Sequence, residues 1–318
     1  MAYLVTGGAG FIGSHVAEKL LARGDEVVIF DNFNDFYDPA LKHANIARLS
    51  PYKDGLSVVV DDLSDTDAVQ KTFQAHRITR VAHLAAMANV RSSINQTPLY
   101  VQINVTGSVN ILEAARDAQV ENVVMASTGS VYGSTAQIPF VETDSADRPL
   151  ASYPATKRAA ELLAHTYHNL NKMNVTILRF FNVYGPAGRP DMMPLRLMHA
   201  ALDGSKIPVF NQGDMSRDWT YIEDTANGVI AALDKPLGYE ILNLGFGRPV
   251  LLSDFIETIE ELSGRTINKD YQPAPASEPN ITFCNNDKAR RLLGFDPQTS
   301  VQDGLANTWE WFARVHVK

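Results

Sequence analysis

Tyr153 and Lys157 are the residues whose types and spacing most clearly permit chemistry in this chain. They lie four positions apart at the start of a helical run that reads YPATKRAAELLAHTY. Four residues make about one helical turn, so the phenol and the ammonium share one face. A cation beside a phenol lowers the pKa of the tyrosine, which can then act as a general base near neutral pH. Accidental matches to so short a spacing are common, so the interpretation depends on the surrounding sequence.

The composition is that of an ordinary globular protein and argues against several classes of partner. The chain has 318 residues, of which 45% are hydrophobic and 20% charged, and a formal net charge of −8. Because it lacks a basic stripe, we expect neither nucleic acid nor an anionic membrane as a partner. We expect no signal peptide, no membrane span and no metal site. A single cysteine, Cys284, excludes an intramolecular disulfide and favours a cytoplasmic location.

Short β-rich runs alternate with longer segments of helical period through the first part of the chain. The predicted strands are residues 3–6, 26–31, 57–61, 80–85, 122–127 and 175–180. The predicted helices lie around residues 12–22, 65–75, 101–118 and 153–170. This alternation, with continuous apolar runs in the strands, predicts an α/β fold: a Rossmann-type, doubly wound parallel sheet covered by helices on both faces.

A glycine-rich turn follows the first predicted strand and opens the first helix. It reads TGGAGFIG over residues 6–13, with Gly7, Gly10 and Gly13 spaced by three. That spacing permits a tight turn and close approach of the backbone to a pyrophosphate. The helix N-terminus, where Phe11 and Ile12 lie, supplies free N–H groups and a partial positive charge for the same group.

Asp31 ends the second predicted strand, 18 residues after Gly13, where a carboxylate can accept the adenosine ribose hydroxyls. Considered alone it could be a turn residue, but with the glycines it predicts a dinucleotide site. An acid there repels a 2′-phosphate and no arginine adjoins it in sequence, so NAD is favoured over NADP. Turn chemistry and packing explain the remaining candidates for this site equally well; they are Asn32, Asp62, Leu63, Leu84, Ala85 and Ala86.

Six segments in order resemble the extended short-chain dehydrogenase/reductases, specifically the nucleotide-sugar epimerases. They are TGGAGFIG, the Asp31 position, HLAA from residue 83, STGSVYG from residue 127, Tyr153 with Lys157, and RFFNVYGP from residue 179. The matches extend over essentially the whole chain and are less specific for the substrate than for the family. The resemblance implies an NAD-dependent nucleotide-sugar 4-epimerase that acts through a 4-keto sugar.

The resemblance implies a role for each catalytic candidate. Thr128 would hydrogen-bond the reacting sugar oxygen and the Tyr153 phenol, although a strand-end threonine can also merely cap a loop. Tyr153 would take the proton of the sugar 4-hydroxyl as the hydride leaves C4 for the nicotinamide, and Lys157 would hold the nicotinamide ribose. The keto sugar then turns over and the hydride returns to its other face, so NAD is recycled.

The residues after Thr128 discriminate between reactions. Dehydratases similar to this chain carry an Asp-Glu pair there, and decarboxylating relatives typically a Glu. Gly129 and Ser130 cannot do that acid–base work, which argues against both reactions. Ser130 remains a candidate to contact the substrate.

Two segments resemble the UDP-glucuronate 4-epimerases more than the glucose/galactose enzymes: residues 31–42, and 185–192 with 210–221. An arginine fork is the natural partner of the C6 carboxylate of a glucuronate, and Arg189 is the candidate, with a solvated loop arginine as an equal alternative. Asn182 departs from the threonine usual in glucuronate enzymes and is expected to bind the diphosphate or the sugar. Arg217 is expected to contact the nucleotide diphosphate or ribose.

After residue 181 the chain is richer in Gly and Pro, notably over 182–194, 203–213 and 271–279, which predicts a smaller, interleaved α/β substrate lobe. Residues 240–245 are expected to return to the large sheet. We therefore predict an NAD-binding Rossmann domain over residues 1–181 plus about 221–250, and a nucleotide-sugar-binding lobe over residues 182–220 and 251–318.

UDP-glucuronate and UDP-galacturonate are the leading substrates, with UDP-glucose/UDP-galactose or UDP-N-acetylhexosamines behind them. A nucleotide-sugar reductase would favour NADP, against which Asp31 argues. A non-catalytic NAD sensor could have lost Thr128, Tyr153 or Lys157, and all three are present. Relatives usually pair through the helices near residues 101–118 and 153–170, so a homodimer is expected.

Overall fold

The computed structural model describes residues 2–275 and 279–316. The strands are β1 (Ala2–Thr6), β2 (Glu26–Asp31), β3 (Leu56–Val60), β4 (Ile78–His83), β5 (Asn122–Thr128), β6 (Val175–Phe180), β7 (Asn182–Tyr184), β8 (Ile207–Phe210), β9 (Ser216–Tyr221), β10 (Tyr239–Leu244), β11 (Pro249–Leu251), β12 (Lys269–Gln272) and β13 (Ile281–Thr282). The α-helices are α1 (Phe11–Ala22), α2 (Pro39–Arg48), α3 (Thr66–Ala75), α4 (Val90–Ser93), α5 (Thr97–Val101), α6 (Gly107–Asp117), α7 (Ser152–Asn171), α8 (Met193–Asp203), α9 (Ile222–Asp234), α10 (Leu252–Ser263), α11 (Asp287–Leu293) and α12 (Val301–His316).

A parallel sheet of seven strands forms the centre of the fold, in the order β10-β6-β5-β4-β1-β2-β3. Every neighbouring pair in this sheet runs parallel. The direction of winding reverses between β1 and β4, which confirms the predicted doubly wound α/β fold. In such sheets ligands bind beyond the carboxyl ends of the strands at the reversal. The glycine-rich turn after β1 and the HLAA segment at the end of β4 meet at that point.

Helices cover both faces of this sheet, so consecutive residues of its inner strands are buried in opposite directions. In β1, Leu4 packs in the cluster that contains residues of α3, α6 and α7, and Val5 packs in the cluster that contains residues of α1 and α9. Both side chains are fully buried, which contributes about 1.5–3 kcal/mol each. The edge strand β3 differs, because its Val58 and Val60 are exposed.

The six predicted strands and the helices α1, α3 and α7 are present, with ends displaced by at most two residues. The single helix predicted over residues 101–118 was partly wrong. A π-helical turn, Gln102–Thr106, joins α5 to α6 there. Its Asn104 is buried and hydrogen-bonds both backbone groups of Met87 and the hydroxyl of Thr156. A widened turn of this kind lets a polar side chain reach inward, and local periodicity does not reveal it.

The sequence pattern also missed α2, although its N-terminus carries a signal. Asp38 is the N-cap, and its carboxylate accepts the N–H of Ala40, while Pro39 occupies the first helical position. These are typical helix-start residues. The helix follows a loop without helical period, and it carries Lys42 towards the end of β2.

The later part of the chain both extends the large sheet and forms smaller ones. Strand β10 pairs with β6, as predicted for residues 240–245. Strand β9 pairs with β7, β11 and β13, and β8 pairs with β12. Residues 1, 276–278 and 317–318, which the predicted domains include, lie outside the described residues. No helix within residues 2–275 and 279–316 is long and apolar enough to cross a membrane.

Candidate active site

A cavity of about 520 Å³ lies at the carboxyl edge of the large sheet, at the reversal of the strand order. Its volume is in the range of small-molecule and cofactor sites. All the predicted site residues line it except Ser130. Ser130 lines a neighbouring cavity of about 220 Å³, to which Thr128, Asn182 and Arg217 also contribute. The structure therefore brings the predicted cofactor and substrate residues together.

The glycine-rich turn packs its backbone tightly against the sheet. Gly7 has a φ of +67°, and a Cβ there would lie 2.8 Å from the Cα of Ala85. A Cβ on Gly13 would lie 2.2 Å from the carbonyl oxygen of Gly7, which accepts the N–H of Gly10 at 3.0 Å. Helix α1 has no side-chain cap, so the N–H groups of its first turn stay open to an anion. This geometry suits the binding of a pyrophosphate.

Asp31 is held at the end of β2 by backbone donors and a lysine. Its carboxylate accepts the N–H of Ala9 at 3.2 Å and the N–H of Phe33 at 2.9 Å. The Nζ of Lys42 lies 3.5 Å from the same carboxylate, and both side chains are buried. Burial lowers the pKa of Lys42, and Asp31 opposes that effect. Asp31 has no arginine beside it in the sequence, but the fold gives it a cationic partner, Lys42, which was not predicted.

Asp62 ties the end of β3 to the end of β2. Its carboxylate accepts the side-chain amide of Asn32 at 2.7 Å and both the N–H and the hydroxyl of Ser64. Burial raises the pKa of Asp62, but these hydrogen bonds outweigh it and lower the pKa overall. With Leu63, also in the cavity wall, this corner can enclose an adenine ring beside the Asp31 site.

Thr128, Tyr153 and Lys157 converge where β5 ends against the first turns of α7. The Thr128 hydroxyl accepts the N–H of Ser130 at 3.1 Å, and Thr128 lies close enough to Tyr153 to lower the pKa of its phenol. Lys157 is 2% exposed, and its Nζ has no hydrogen-bond partner among the described residues. An unsatisfied buried ammonium is costly, so its position in the cavity wall fits a ligand that supplies acceptors, such as a ribose.

The electrostatics of this group differ from the expectation based on spacing alone. Burial raises the pKa of Tyr153, and the Arg189 guanidinium and the hydrogen bond with Thr128 oppose that rise. Burial lowers the pKa of Lys157 to about 8, and Glu161 opposes that fall. The cation that lowers the pKa of the phenol is therefore Arg189, whereas sequence reasoning assigned this effect to Lys157.

Arg189 is ion-paired within the protein and is not a solvated loop arginine. Its Nε and Nη2 lie 2.9 Å and 2.7 Å from the two carboxylate oxygens of Asp191. Asp191 also accepts the side-chain amide of Asn89 at 3.1 Å, and the guanidinium lies 5.4 Å from the Phe36 ring. Asp191 thus occupies the Nε–Nη2 edge of the guanidinium, which was predicted to bind a sugar carboxylate. Among the described residues nothing hydrogen-bonds Nη1, so a ligand can contact the guanidinium there.

Asn182 and Arg217 line the cavity from the neighbouring strands β7 and β9. The next residue in β9, Asp218, is buried and accepts the N–H groups of Phe246, Gly247 and Cys284. These bonds fix the strand that carries Arg217. The Cys284 thiol also donates to Asp218, and burial raises the pKa of the thiol, so it stays protonated.

Two further arginines in the cavity wall were not found from the sequence. Arg91 lies with its guanidinium 5.0 Å from the Phe210 ring, and Arg196 lies in α8. Burial lowers the pKa of Arg196, the nearby charge of Arg91 lowers it further, and Asp191 opposes both effects. Arg91 and Arg196 together with Arg217 place three arginines in the cavity wall, and this residue type suits a diphosphate. Their spacing along the chain follows no motif that the sequence alone could show.

The chain matches the family model described as the NAD dependent epimerase/dehydratase family over residues 3–245. It is similar to a UDP-glucuronate 4-epimerase from Thermodesulfobacterium geofontis, with 41% identity over 97% of this chain and 95% of the relative. It is also similar to the structure of UDP-glucuronic acid 4-epimerase from Bacillus cereus in complex with UDP-glucuronic acid and NAD (34% identity, TM-score 0.92, 99% and 100% of the two chains covered). The Thermotoga maritima UDP-glucose 4-epimerase with UDP-glucose gives 28% identity and a TM-score of 0.90, with 99% of each chain covered.

Replacing Gly7 by alanine is expected to weaken NAD binding at least about tenfold. The new Cβ would lie 2.8 Å from the backbone of Ala85 at a φ of +67°, so the turn must move. Calorimetric titration of cofactor-stripped protein with NAD measures the effect. Gly24→Ala is the matched control, because Gly24 also has a positive φ, +91°, but nothing lies within 4 Å of its Cβ position. Equal NAD affinity in both variants would contradict the placement of the pyrophosphate.

Proposed function

The chain belongs to the NAD dependent epimerase/dehydratase family, and from this premise we propose that it is an NAD-dependent 4-epimerase of a UDP-sugar. UDP-glucuronate and UDP-galacturonate are the leading substrate pair. The observation that carries the proposal is the convergence of Thr128, Tyr153 and Lys157 in one cavity wall, where the Lys157 ammonium has no hydrogen-bond partner among the described residues. This constellation suits the removal of a proton from a carbinol and its later return.

Each residue of the group has a definite task in this proposal. Thr128 orients the sugar 4-hydroxyl towards the ionised Tyr153 phenolate, which takes its proton in one half of the reaction and, as the phenol, gives it back in the other. NAD, when bound, supplies the acceptor and donor of the hydride at C4. Lys157 holds the nicotinamide ribose, and Arg189 supports the negative charge of the phenolate.

The site favours epimerisation over elimination of water, because the chain has no acid or base directly after Thr128. A Cβ at Gly129 would lie 2.8 Å from the ring of Phe181, so a longer side chain fits there only if the ring moves. The Ser130 N–H is held by the Thr128 hydroxyl. The oxidised sugar therefore meets no group that could remove its C5 proton from this loop, and it takes the hydride back.

For the sugar itself, the similarity to two UDP-glucuronate 4-epimerases at 41% and 34% identity supports a uronate. In this proposal the C6 carboxylate contacts Nη1 of Arg189, the position that Asp191 leaves open. Arg217, with Arg91 and Arg196, binds the diphosphate. UDP-glucose/UDP-galactose is the second candidate pair, because Asn182 stands where the uronate enzymes usually have threonine.

The remaining assignments complete the proposal. The proposed NAD-binding domain comprises residues 1–181 and about 221–250. The proposed nucleotide-sugar-binding lobe comprises residues 182–220 and 251–318. Ser130 contacts the sugar from the smaller cavity. The sequence predicts a cytoplasmic location.

We further propose a homodimer formed through α7 and the helices near residues 101–118, including α5 at their start. These helices pack against each other and expose Leu99, Val101 and Leu162, the last of which is 54% exposed. Apolar side chains on one pair of helices are stabilised when a second copy covers them.

The proposed reaction predicts that the protein interconverts UDP-glucuronate and UDP-galacturonate without added reductant. Tyr153→Phe is expected to lower kcat by about 10²–10⁴-fold, because the general base is lost. Anion-exchange chromatography of the products measures the interconversion and the loss of kcat. The substrate panel includes UDP-glucose and UDP-N-acetylglucosamine. The absence of an epimer from every UDP-sugar in the panel would refute the function, and a faster reaction with UDP-glucose would favour the second candidate.

Arg189→Ala is expected to raise KM for UDP-glucuronate about tenfold or more and to leave KM for UDP-glucose nearly unchanged, because one carboxylate contact is lost. Since Arg189 also supports the phenolate, kcat is expected to fall for both substrates. Arg148→Ala, at a side chain that is 79% exposed, is the control. An unchanged KM for UDP-glucuronate in the Arg189 variant would remove the carboxylate assignment.

Leu162→Glu is expected to convert a dimeric wild type into a monomer, because the charge would be buried in the proposed interface. Light scattering after size-exclusion chromatography gives the mass. Val60→Glu, at a residue that is 65% exposed on the far edge strand, is the control and should remain dimeric. A monomeric wild type, or a dimeric Leu162 variant, contradicts the proposed interface.

A further inference from the structure

A cluster of buried polar side chains lies directly behind the catalytic group. Its centre is Glu161 in α7, which is 1% exposed. The carboxylate accepts the Ser127 hydroxyl at 2.5 Å, Arg179 Nε and Nη2 at 3.0 Å and 2.7 Å, and Arg158 Nη1 at 2.9 Å. One carboxylate therefore connects α7 with the ends of β5 and β6.

The partners of Glu161 are adjacent to the catalytic residues. Ser127 immediately precedes Thr128, and Arg179 lies opposite Ser127 in the pairing of β5 with β6. Glu161 follows Lys157 by one helical turn on the same face of α7. The helix face that carries Tyr153 and Lys157 is thus tied to the strand end that carries Thr128.

The same cluster also fixes the backbone after Thr128. The guanidinium of Arg179 lies 4.7 Å from the ring of Tyr132, which ends the short helical turn Gly129–Tyr132. The Tyr132 hydroxyl donates to the Asn243 side chain at 2.6 Å. Because the chain is held both before and after Thr128, its hydroxyl has little freedom relative to the Tyr153 phenol.

Glu161 also acts electrostatically on the ammonium of Lys157, which precedes it by one helical turn. The other titratable groups that interact with or adjoin Lys157 are Tyr153 on α7 and His83 on β4. Burial lowers the pKa of His83 to about 3, so that ring is neutral when the enzyme works. Glu161 is the acid that raises the pKa of Lys157 against the effect of burial. The buried ion pair of Glu161 with Arg179 is expected to contribute little net stability, so the main effect of Glu161 here is on geometry and charge.

We propose that Glu161 is a positioning residue: it fixes Thr128 against Tyr153 and keeps Lys157 in its charged form. It does not touch the substrate, and it acts through Ser127, Arg179 and Lys157. The inference rests on the proposed function, because it assumes that proton transfer between sugar and phenol limits the rate.

Two substitutions separate geometry from charge. Glu161→Gln keeps the shape but removes the charge, so the pKa of Lys157 falls and the alkaline limb of kcat moves to lower pH. Glu161→Asp keeps the charge but is one methylene shorter and cannot span Ser127 and Arg179 together. It is expected to lower kcat about 10–100-fold with the alkaline limb in place. KM for the UDP-sugar should change little in either variant, because the nucleotide arginines are elsewhere.

Arg158→Gln is the matched control. The substitution removes a half-buried guanidinium from the Glu161 carboxylate. Because Arg158 is not one of the residues through which Glu161 is proposed to act, kcat and the alkaline limb of its pH profile should stay near those of the wild type. If the control reproduces the changes of Glu161→Gln, or if Glu161→Gln behaves like the wild type, the proposal is wrong.

If Glu161→Gln does not fold, as judged by circular dichroism, Ser127→Ala and Glu161→Asp decide the matter, and wild-type kcat in both overturns the proposal. Titration of isotope-labelled Lys157 by NMR, assigned with Lys157→Met, provides a readout that needs no turnover. If the wild type is inactive on every UDP-sugar, only the proposed function is refuted. The titration of Lys157 in the wild type and in Glu161→Gln then still tests the effect of Glu161. An unchanged Lys157 pKa there overturns the charge role.

Discussion

The burial of the Lys157 ammonium is the constraint on which the arrangement of the site depends. A cation with no hydrogen-bond partner among the described residues is stable there only if its surroundings compensate its charge and a ligand completes its bonding. Glu161 supplies the compensation from one turn further along α7. The cofactor ribose suits the second requirement. In the proposed binding mode, the glycine turn and the Asp31 corner hold the dinucleotide, and its nicotinamide ribose reaches this position.

The features that could be predicted from the sequence are those that depend on local patterns. Alternating periodicity predicts the sheet, and the glycine spacing with Asp31 predicts a cofactor site whose residues line one cavity beyond β1 and β2. Lys42 escaped prediction because it approaches Asp31 only through α2, whose cap residues are a weaker signal than periodicity. Asp191 was missed because its pairing with Arg189 depends on a loop conformation, which residue types alone do not determine.

The Glu161 cluster shows a different limit of sequence reasoning. Glu161 and Arg179 are 18 residues apart, and they meet only because α7 returns across β5 and β6. A pattern analysis assigns an acid inside an amphipathic helix to the solvated face, yet this carboxylate is nearly fully buried. Tertiary packing, not propensity, decides which face of α7 carries chemistry.

In the proposed binding mode, Arg189 links substrate recognition to the strength of the base. Asp191 occupies one edge of its guanidinium, and the remaining positive charge opposes the effect of burial on the pKa of Tyr153. A sugar carboxylate at Nη1 would add a second anion to the same cation. It would reduce the support that the phenolate receives, which a neutral hexose would leave intact. Recognition of the charge of the sugar and the basicity of the phenol would therefore both depend on one guanidinium. A change in sugar preference at this position must then also change the pH dependence of catalysis.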